Sequence, residues 1–414
     1  MVIARAGAAA RSLTPVVAPQ GGVGAVAADT SPRAECVVFV ALGVYAREGG
    51  MERFNRRVVR ALGELRQSGS VGEVALVALW DDPSHRAAVP QGVRFAPGRF
   101  GKLRTLAAFG RTVARLRPDT VVYGSVLLVP LAALARVLSP RSRHVLFVHG
   151  IEVWDRPHVL RRALVRSLLS RVIAVSRFTA ERMRVAYGLV PSVFRLLPNA
   201  VDTRAARPTE ARTALPRRDK PPRLLTVSRL SRQDDYKNVD KVILALPAIA
   251  AAFPDVTYEI VGDGDWRADL ADLAITSGVA DRVRFRGWME DDARDALYAE
   301  SDVFVLPSTR EGFGIVFLEA WQHGVPVIAS NRDAAQEVVS DGEDGLCVDP
   351  TPSAIARAVC ELLADAGRRE SMGARGREKV ERAFGHDRFR ETLGALLTEG
   401  ASEASPRAPA TGRG

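Results

Sequence analysis

The 414-residue chain has little of what marks secreted, membrane-spanning or nucleic-acid-binding proteins. Its three cysteines, Cys36, Cys347 and Cys360, share no disulfide or metal-ligand spacing, which favours reduced thiols in a cytoplasmic protein. The longest uncharged run outside the first 30 residues, Thr120–Ala135, is shorter than the roughly 20 apolar residues that a bilayer requires, so it predicts a buried strand followed by a helix. The first 30 residues lack the continuous apolar core of an export signal.

Aromatic residues make up 6% of the chain and are not interleaved with arginine, which argues against stacking on nucleic-acid bases. Nucleotide-binding fingerprints are also absent or incomplete. The chain has no P-loop, and the dinucleotide pattern that begins at Gly262 has Arg267 in place of its third glycine. A second formal match, at Gly22–Ala27, lies in a compositionally biased stretch. We therefore expect no nucleic-acid partner and no dinucleotide cofactor.

Acidic residues are scarce in the first half of the chain. Residues 1–204 hold 30 Lys and Arg against 13 Asp and Glu, a net +17, whereas the remaining residues hold 28 against 35, a net −7. On charge alone, this asymmetry suggests an anionic membrane surface, a phosphorylated acceptor or a nucleic acid as the partner of the basic half, and the aromatic pattern argues against the nucleic acid. The alternative is that an arginine-rich composition decorates solvated faces. Helices predicted at Lys102–Arg117 and Arg156–Arg171 are amphipathic, which fits either peripheral contact with an anionic membrane or packing on a sheet.

Short apolar runs alternate with segments of helical spacing along most of the chain, which predicts an α/β fold with parallel, doubly wound sheets. A polar, proline-rich stretch at Thr203–Pro222 interrupts the alternation and predicts a linker. We therefore expect two Rossmann-like domains facing a cleft, at residues 35–202 and 223–384. The other segments are predicted to be a C-terminal helix that packs back on the first domain and two disordered tails: residues 385–400, 1–34 and 401–414, respectively.

The most informative stretch, Ser308–Val327, runs from a predicted strand end through a glycine-containing turn into a helix. Ligands of open parallel sheets bind outside the carboxyl ends of the strands. The free amides of a helix N-terminus stabilise a diphosphate, and glycine lets the backbone approach it. The predicted diphosphate-binding turn comprises Gly312, Phe313, Gly314, Ile315 and Val316.

Two glutamates, Glu311 and Glu319, frame this turn. A nucleotide sugar has hydroxyl groups on both sides of its diphosphate, and an ionised carboxylate suits a pair of vicinal hydroxyls. The spacing fits one glutamate on the ribose and one on the sugar; taken alone, it also fits a turn cap and a solvated helix face. Arg229, at a predicted strand end, and Lys237 add cations that would stabilise a departing diphosphate.

In their order and spacing, several short motifs resemble glycosyltransferase family 4, whose members have the two-domain GT-B fold. The resemblance covers about residues 36–390. In the second half the matching motifs are Val227–Leu230, Tyr236–Asp240, Ile260–Gly264, Ser301–Ser308, Arg310–Gly314 and Glu319–Val327. In the first half they are Gly49–Arg53, His149–Gly150, Ala174–Phe178 and Pro198–Asp202.

The resemblance implies a retaining transferase that takes a sugar from a nucleotide-diphosphate donor without a metal ion or other cofactor. Arg229 and Lys237 would bind the diphosphate, Glu311 would hold the transferred sugar, and Glu319 the ribose. His149 would face the sugar from the first domain, across the cleft.

The glycines complete the predicted site. Gly49 and Gly50 would let a loop approach the phosphates or the acceptor, and Gly262 is predicted to line the donor side. The loop that precedes Lys237 is longer than is common in the family, so Arg232 is the alternative cation. A D-x-D pattern at Asp263–Asp265 fits a metal site in a different glycosyltransferase fold, but its place in a tight turn favours a structural role.

The sequence places the acceptor less firmly than the donor. We expect a hydroxyl acceptor near the basic first domain, in a lipid-linked precursor or a polysaccharide or glycoconjugate precursor. The sequence names neither the sugar, the base nor the acceptor. Two alternatives stay open: a sugar-nucleotide epimerase or hydrolase, which consumes donor without acceptor, and a non-catalytic nucleotide-sugar-binding protein. The predicted location is the cytoplasm, with any peripheral contact on the inner face of the membrane.

Overall fold

The computed structural model describes residues 34–203 and 220–399. Both predicted tails and the predicted linker fall almost entirely outside these residues. The formal dinucleotide match at Gly22–Ala27 also lies outside them.

The first half forms a seven-stranded parallel sheet of order β3-β2-β1-β4-β5-β6-β7. Its strands are β1 Val37–Ala41, β2 Val74–Ala78, β3 Arg94–Pro97, β4 Thr120–Tyr123, β5 Arg143–Val148, β6 Arg171–Ala174 and β7 Phe194–Leu196. The α-helices described between them are α1 Gly50–Gln67, α2 Lys102–Leu116, α3 Leu131–Leu138, α4 Val159–Leu168 and α5 Arg177–Tyr187.

The second half forms a six-stranded parallel sheet of order β10-β9-β8-β11-β12-β13. Its strands are β8 Arg223–Val227, β9 Thr257–Val261, β10 Val283–Gly287, β11 Val303–Leu306, β12 Val327–Ser330 and β13 Gly345–Val348. Its helices are α6 Val239–Ala252, α7 Arg267–Thr276, α8 Asp291–Ala299, α9 Ile315–Gln322, α10 Ala335–Val338, α11 Pro352–Ala364, α12 Ala366–Ala383 and α13 His386–Thr398.

The side-chain pattern explains why these segments form two layered sheets. All five residues of β1 and all five of β2 are buried, as expected for parallel strands covered by helices on both faces. Helix α2 buries Thr105, Phe109 and Val113, one turn apart, and exposes most of its other residues. The predicted α/β architecture with two doubly wound sheets is confirmed.

The strand order reverses once in each sheet, between β1 and β4 and between β8 and β11. Ligands of doubly wound folds bind at such reversal points, outside the carboxyl ends of the strands. Gly49 and Gly50 follow β1 in the first sheet. Arg229 follows β8 and Glu311 follows β11 in the second, so several predicted site residues lie beside the two reversal points.

After α12 the chain returns to the first half, where helix α13 packs on α1. The rings of Phe54 and Phe389 meet edge-to-face with centroids 5.6 Å apart. The His386 Nε2 atom lies 2.9 Å from a carboxylate oxygen of Glu64. Across residues 34–203 and 220–399, no helix combines the length and apolar character needed to cross a bilayer.

Candidate active site

The loop after β11 carries Glu311, and its carboxylate forms an ion pair with the Lys237 ammonium group. Lys237 ends a short 3-10 helix, Arg232–Lys237. Both side chains are largely buried, with 17% of Glu311 and 19% of Lys237 exposed. Arg232, the alternative cation, instead pairs with Asp269 on α7. The structure therefore brings Lys237, and not Arg232, to Glu311.

Arg229 lies beside this pair at the end of β8. Its Nε and Nη2 atoms donate to the Asp234 carboxylate at 2.5 and 3.0 Å, and Asp234 also accepts from the Tyr236 hydroxyl at 2.7 Å. Burial opposes ionisation of Asp234, but the hydrogen bonds from Arg229 and Tyr236 prevail and lower its pKa. The Arg229 side chain is still 73% exposed, so the other guanidinium N–H groups remain accessible.

The predicted diphosphate turn heads helix α9. Gly314 caps the helix with a left-handed φ of 86°, and Ile315 and Val316 form its first turn, where amides have no preceding helical carbonyl to bind. Phe313 is buried against Phe384, with ring centroids 5.7 Å apart. This packing fixes the turn at the carboxyl end of β11.

Gly312 is the point at which the first half meets this turn. A Cβ atom at Gly312 would lie 2.0 Å from the His149 carbonyl oxygen, so only glycine permits the contact. The Ser176 hydroxyl donates to the Gly312 carbonyl at 2.7 Å. The His149 ring packs edge-to-face on Phe54, and its Nε2 atom lies 3.1 Å from the Gly124 carbonyl oxygen. The backbone of His149 thus lies next to the loop that carries Glu311, and its role toward the sugar stays a prediction.

Glu319 belongs to a second, separate cluster at the boundary between the halves. Its carboxylate accepts from Arg53 Nη1 at 2.5 Å and from the Tyr298 hydroxyl at 3.1 Å. Arg53 also contacts Asp291 at 3.2 Å. The Glu319 side chain is only 10% exposed. The two predicted glutamates therefore both have cationic partners, but only the partner of Glu319 comes from the other half.

Gly49 and Gly50 lie at the start of the helix that carries Arg53. Gly49 caps α1, and its carbonyl accepts from the Arg53 amide at 3.0 Å. Gly50 is the first helical residue, and a Cβ atom there would meet nothing within 4 Å. The structure therefore places the predicted glycine loop at the N-terminus of α1, beside the Glu319 cluster.

Gly262 follows β9, and its backbone packs directly against the loop that carries Arg229. Its φ is +130°, and a Cβ atom would lie 1.8 Å from the Ser228 carbonyl oxygen. The adjacent Asp263 carboxylate accepts the Gly264 amide at 2.9 Å, and Asp265 accepts the Arg232 amide at 2.9 Å. The D-x-D carboxylates therefore stabilise turns. Among the described residues, no group of three or more His, Cys, Asp and Glu side chains is arranged to hold a metal ion.

Asp333, which the sequence did not single out, lies directly beneath the Glu311 loop. One of its carboxylate oxygens accepts the Glu311 amide at 2.6 Å, and the other accepts the Ala335 amide at 3.0 Å. The residue is 2% exposed, and burial, reinforced by the charge of Glu311, raises its pKa to about 7. Its place just after a predicted strand was the available signal. Arg53 ends the motif Gly49–Arg53, but the motif alone does not indicate a role for it.

Comparisons with known proteins match both halves. Residues 48–205 match the family model described as Glycosyltransferase Family 4, and residues 208–379 match Glycosyl transferases group 1. A GDP-mannose-dependent alpha-(1-6)-phosphatidylinositol monomannoside mannosyltransferase of Mycobacterium tuberculosis is 38% identical over 301 residues, which are 70% of this chain and 77% of that protein. The chain belongs to glycosyltransferase family 4.

Two further comparisons agree with the assignment of this glycosyltransferase to the family. A GDP-mannose-dependent monoacylated alpha-(1-6)-phosphatidylinositol monomannoside mannosyltransferase of Corynebacterium glutamicum is 31% identical over 71% of this chain and 80% of its own. The crystal structure of Anabaena HepE in complex with UDP superposes with a TM-score of 0.71 at 20% identity, covering 88% of this chain and all of HepE. The predicted family, GT-B fold and glycosyltransferase activity are confirmed.

Proposed function

We propose that this glycosyltransferase moves mannose from GDP-mannose to a hydroxyl group of an inositol phospholipid. The observation that carries the proposal is the 301-residue match to a mannosyltransferase with that donor and that class of acceptor. The match is longer than either half, so it includes residues of both. The choice of guanosine over uridine rests on these relatives, because a likeness at 20% identity supports the fold alone.

The donor diphosphate would bind between Arg229, Lys237 and the first amides of α9. Arg229 uses one edge of its guanidinium group on Asp234 and has N–H groups left for phosphate oxygens. Lys237 supplies a point charge that Glu311 already holds in place. Cations fixed before the reaction stabilise the charge that develops on departing GDP without reorganisation. We propose that they do so without a metal ion.

The transferred sugar would lie between Glu311 and His149. Glu311 can accept hydrogen bonds from two sugar hydroxyls while it stays paired with Lys237, because an ionised carboxylate has about four acceptor sites. His149 approaches from the first half, where its backbone touches Gly312. Glu319, in the second cluster, would take the ribose. We propose that transfer retains the anomeric configuration, with the leaving phosphate as the base.

An inositol phospholipid acceptor requires contact with a membrane surface. Helices α2 and α4 lie on either side of α3 and have exposed apolar residues: Leu103 is 81% exposed, Val159 79% and Leu160 63%. Exposed Arg104, Arg162 and Arg166 lie on the same two helices. Basic residues beside exposed apolar side chains favour binding to an anionic bilayer. We propose that this surface holds the enzyme on the membrane.

The test incubates the purified full chain with GDP-mannose and vesicles that contain a phosphatidylinositol monomannoside. We expect a lipid product one hexose heavier, with an alpha linkage by NMR and an unchanged rate in EDTA. Faster transfer from UDP-sugars would overturn the donor assignment. Release of GDP at the same rate without lipid would favour the hydrolase alternative, and donor binding without turnover would favour a non-catalytic protein.

A further inference from the structure

We propose that Asp333 is a positioning residue for transfer, which fixes Glu311 against the sugar through its backbone. The inference rests on the proposed function, because it takes Glu311 as the sugar-binding carboxylate. It adds a residue that lies outside every motif quoted above. The residue acts from the neighbouring loop, after β12.

Both backbone groups of Glu311 are held by the loop that follows β12. The Glu311 amide donates to Asp333 at 2.6 Å, and the Glu311 carbonyl accepts from the Ala334 amide at 3.3 Å. Strands β11 and β12 are parallel neighbours, so the two loops leave the same edge of the sheet side by side. The second oxygen of Asp333 accepts the Ala335 amide, which anchors the carboxylate to the start of α10.

Ionised Asp333 meets both bonds with one acceptor oxygen each. A neutral side chain cannot do so equally well, because asparagine offers one acceptor oxygen and one donor NH₂ group. One of the two amides would then face a donor. If Glu311 loses this bond, its loop can shift, and a small misplacement of a substrate-holding group costs a large factor in rate.

The charges that face Asp333 make its ionised form costly. Glu311, on the neighbouring loop, opposes ionisation, whereas Lys237 favours it. Cys347 of β13 also interacts with Asp333: its thiol pKa is raised to about 12, chiefly by burial, with Asp333 among the nearby charges that contribute. Burial has the largest influence on Asp333 and, with Glu311, raises its pKa to about 7.

The destabilisation caused by ionised Asp333 depends on pH. The unfolded chain loses the Asp333 proton near pH 3.9, but the folded chain keeps it to about pH 7. Between these values the folded state binds more protons, so the free energy of unfolding falls as pH rises. The ionised carboxylate therefore weakens the fold at neutral pH. A buried carboxylate that destabilises the fold when ionised is expected where its hydrogen bonds position a functional residue.

The experiment compares the full-length wild type with Asp333→Asn and with Asp344→Asn. Asp344 is a matched buried carboxylate of the same half, which accepts the Ser340 amide at 2.9 Å and pairs with Lys379 at 2.8 Å. Mannosyl transfer from GDP-mannose to lipid vesicles is measured from pH 5.5 to 8.5, together with melting temperatures. At pH 8 we expect kcat of Asp333→Asn to fall roughly tenfold or more, with little change in donor KM.

Two further results are expected of Asp333→Asn. Wild-type kcat should decline as pH falls through about 7, and the variant should lack that decline, because asparagine does not titrate. Its melting temperature relative to wild type should rise from pH 5 to pH 8. Asp344→Asn should show the opposite pattern, with lower stability and wild-type kcat.

Comparing Glu311→Gln with Asp333→Asn distinguishes a failure of the positioning role from a failure of the proposed function. A variant Glu311→Gln with wild-type transfer would overturn the role of Glu311 itself. Loss of transfer in Glu311→Gln together with wild-type kcat and an unchanged pH profile in Asp333→Asn would overturn the positioning role alone. A parallel loss of kcat and melting temperature at every pH in Asp333→Asn would also overturn it, because it would indicate a merely structural residue.

Discussion

The two halves share one topology but arrange their polar residues differently at the cleft. In the second half, Arg229 is held by Asp234 and Lys237 by Glu311, so both pairs lie within the same half. In the first half, Arg53 at the start of α1 reaches across the boundary to Glu319. The second half, where we propose that the donor binds, is thus organised by its own contacts, whereas the first half uses a cation to contact its neighbour.

The two halves also differ in the apolar residues and the charge at their surfaces. Among the described residues, ten large apolar side chains are exposed in the first half and three in the second. The first half is also the basic one, at +17 against −7. Exposed apolar area beside basic residues favours a partner surface. This difference supports the proposal that the second half binds the small, charged donor and that the first half contacts a larger partner.

Replacing Glu311 tests the donor side most severely. Glu311→Gln removes the charged acceptor for sugar hydroxyls and leaves Lys237 without its partner. We expect kcat/KM for mannosyl transfer to fall roughly 100- to 1000-fold, as when a preorganised polar group is lost from an active site. Steady-state kinetics with GDP-mannose measures the effect. Glu300→Gln, an exposed glutamate of the same half that pairs with Arg223, serves as the control and should keep normal rates.

The next largest effect should come from Arg229. Arg229→Ala removes charge-assisted bonds to the diphosphate, so we expect the donor KM to rise roughly 10- to 100-fold. Arg232→Ala is the matched control, because Arg232 lies on the same loop but pairs with Asp269. Equal effects of the two variants on KM would contradict the distinction that the structure draws between them.

Much of the fold followed from the sequence because parallel strands buried on both faces leave continuous apolar runs. The short strands β3, β7 and β13 and the helices α5 and α10 did not. β3 is only partly buried and begins with exposed Arg94, and β7 spans only three residues, so neither leaves a long apolar run. At the C-terminal end, α12 and α13 are two helices that meet at Gly385.

The site was predictable only where a motif carried it. Glu311 and Lys237 came from motif order, and the structure brings them into contact although 74 positions separate them. Asp333 lacks a motif, and its role depends on β12 lying beside β11, which is a property of strand order. The partner of Glu319 comes from the other half, so no local pattern in the second half could indicate Arg53.

The open surface of the first half is tested through α4. Each arginine near an anionic bilayer contributes about 1 kcal/mol, so Arg166→Ala should weaken binding about fivefold. Co-sedimentation with vesicles of phosphatidylglycerol and phosphatidylcholine measures the change. Arg357→Ala, an exposed arginine of α11 in the acidic half, is the control. The same loss in both variants, or none in either, would discard the assignment of the membrane contact to the first half.

The smallest expected effect concerns the ion pair between Arg53 and Glu319, which links the two halves. The Glu319 side chain is only 10% exposed, and Arg53 and Tyr298 each bond one of its oxygens, so we expect ribose hydroxyls to compete with Arg53 for this carboxylate. Arg53→Ala should therefore tighten GDP binding roughly twofold to threefold in calorimetry, the scale of a partly exposed ion pair. Arg60 lies about two turns further along the same helix and pairs with Asp202, so Arg60→Ala should leave affinity unchanged. Weaker GDP binding in Arg53→Ala would instead make Arg53 part of the ribose site, and the donor would then be held by both halves.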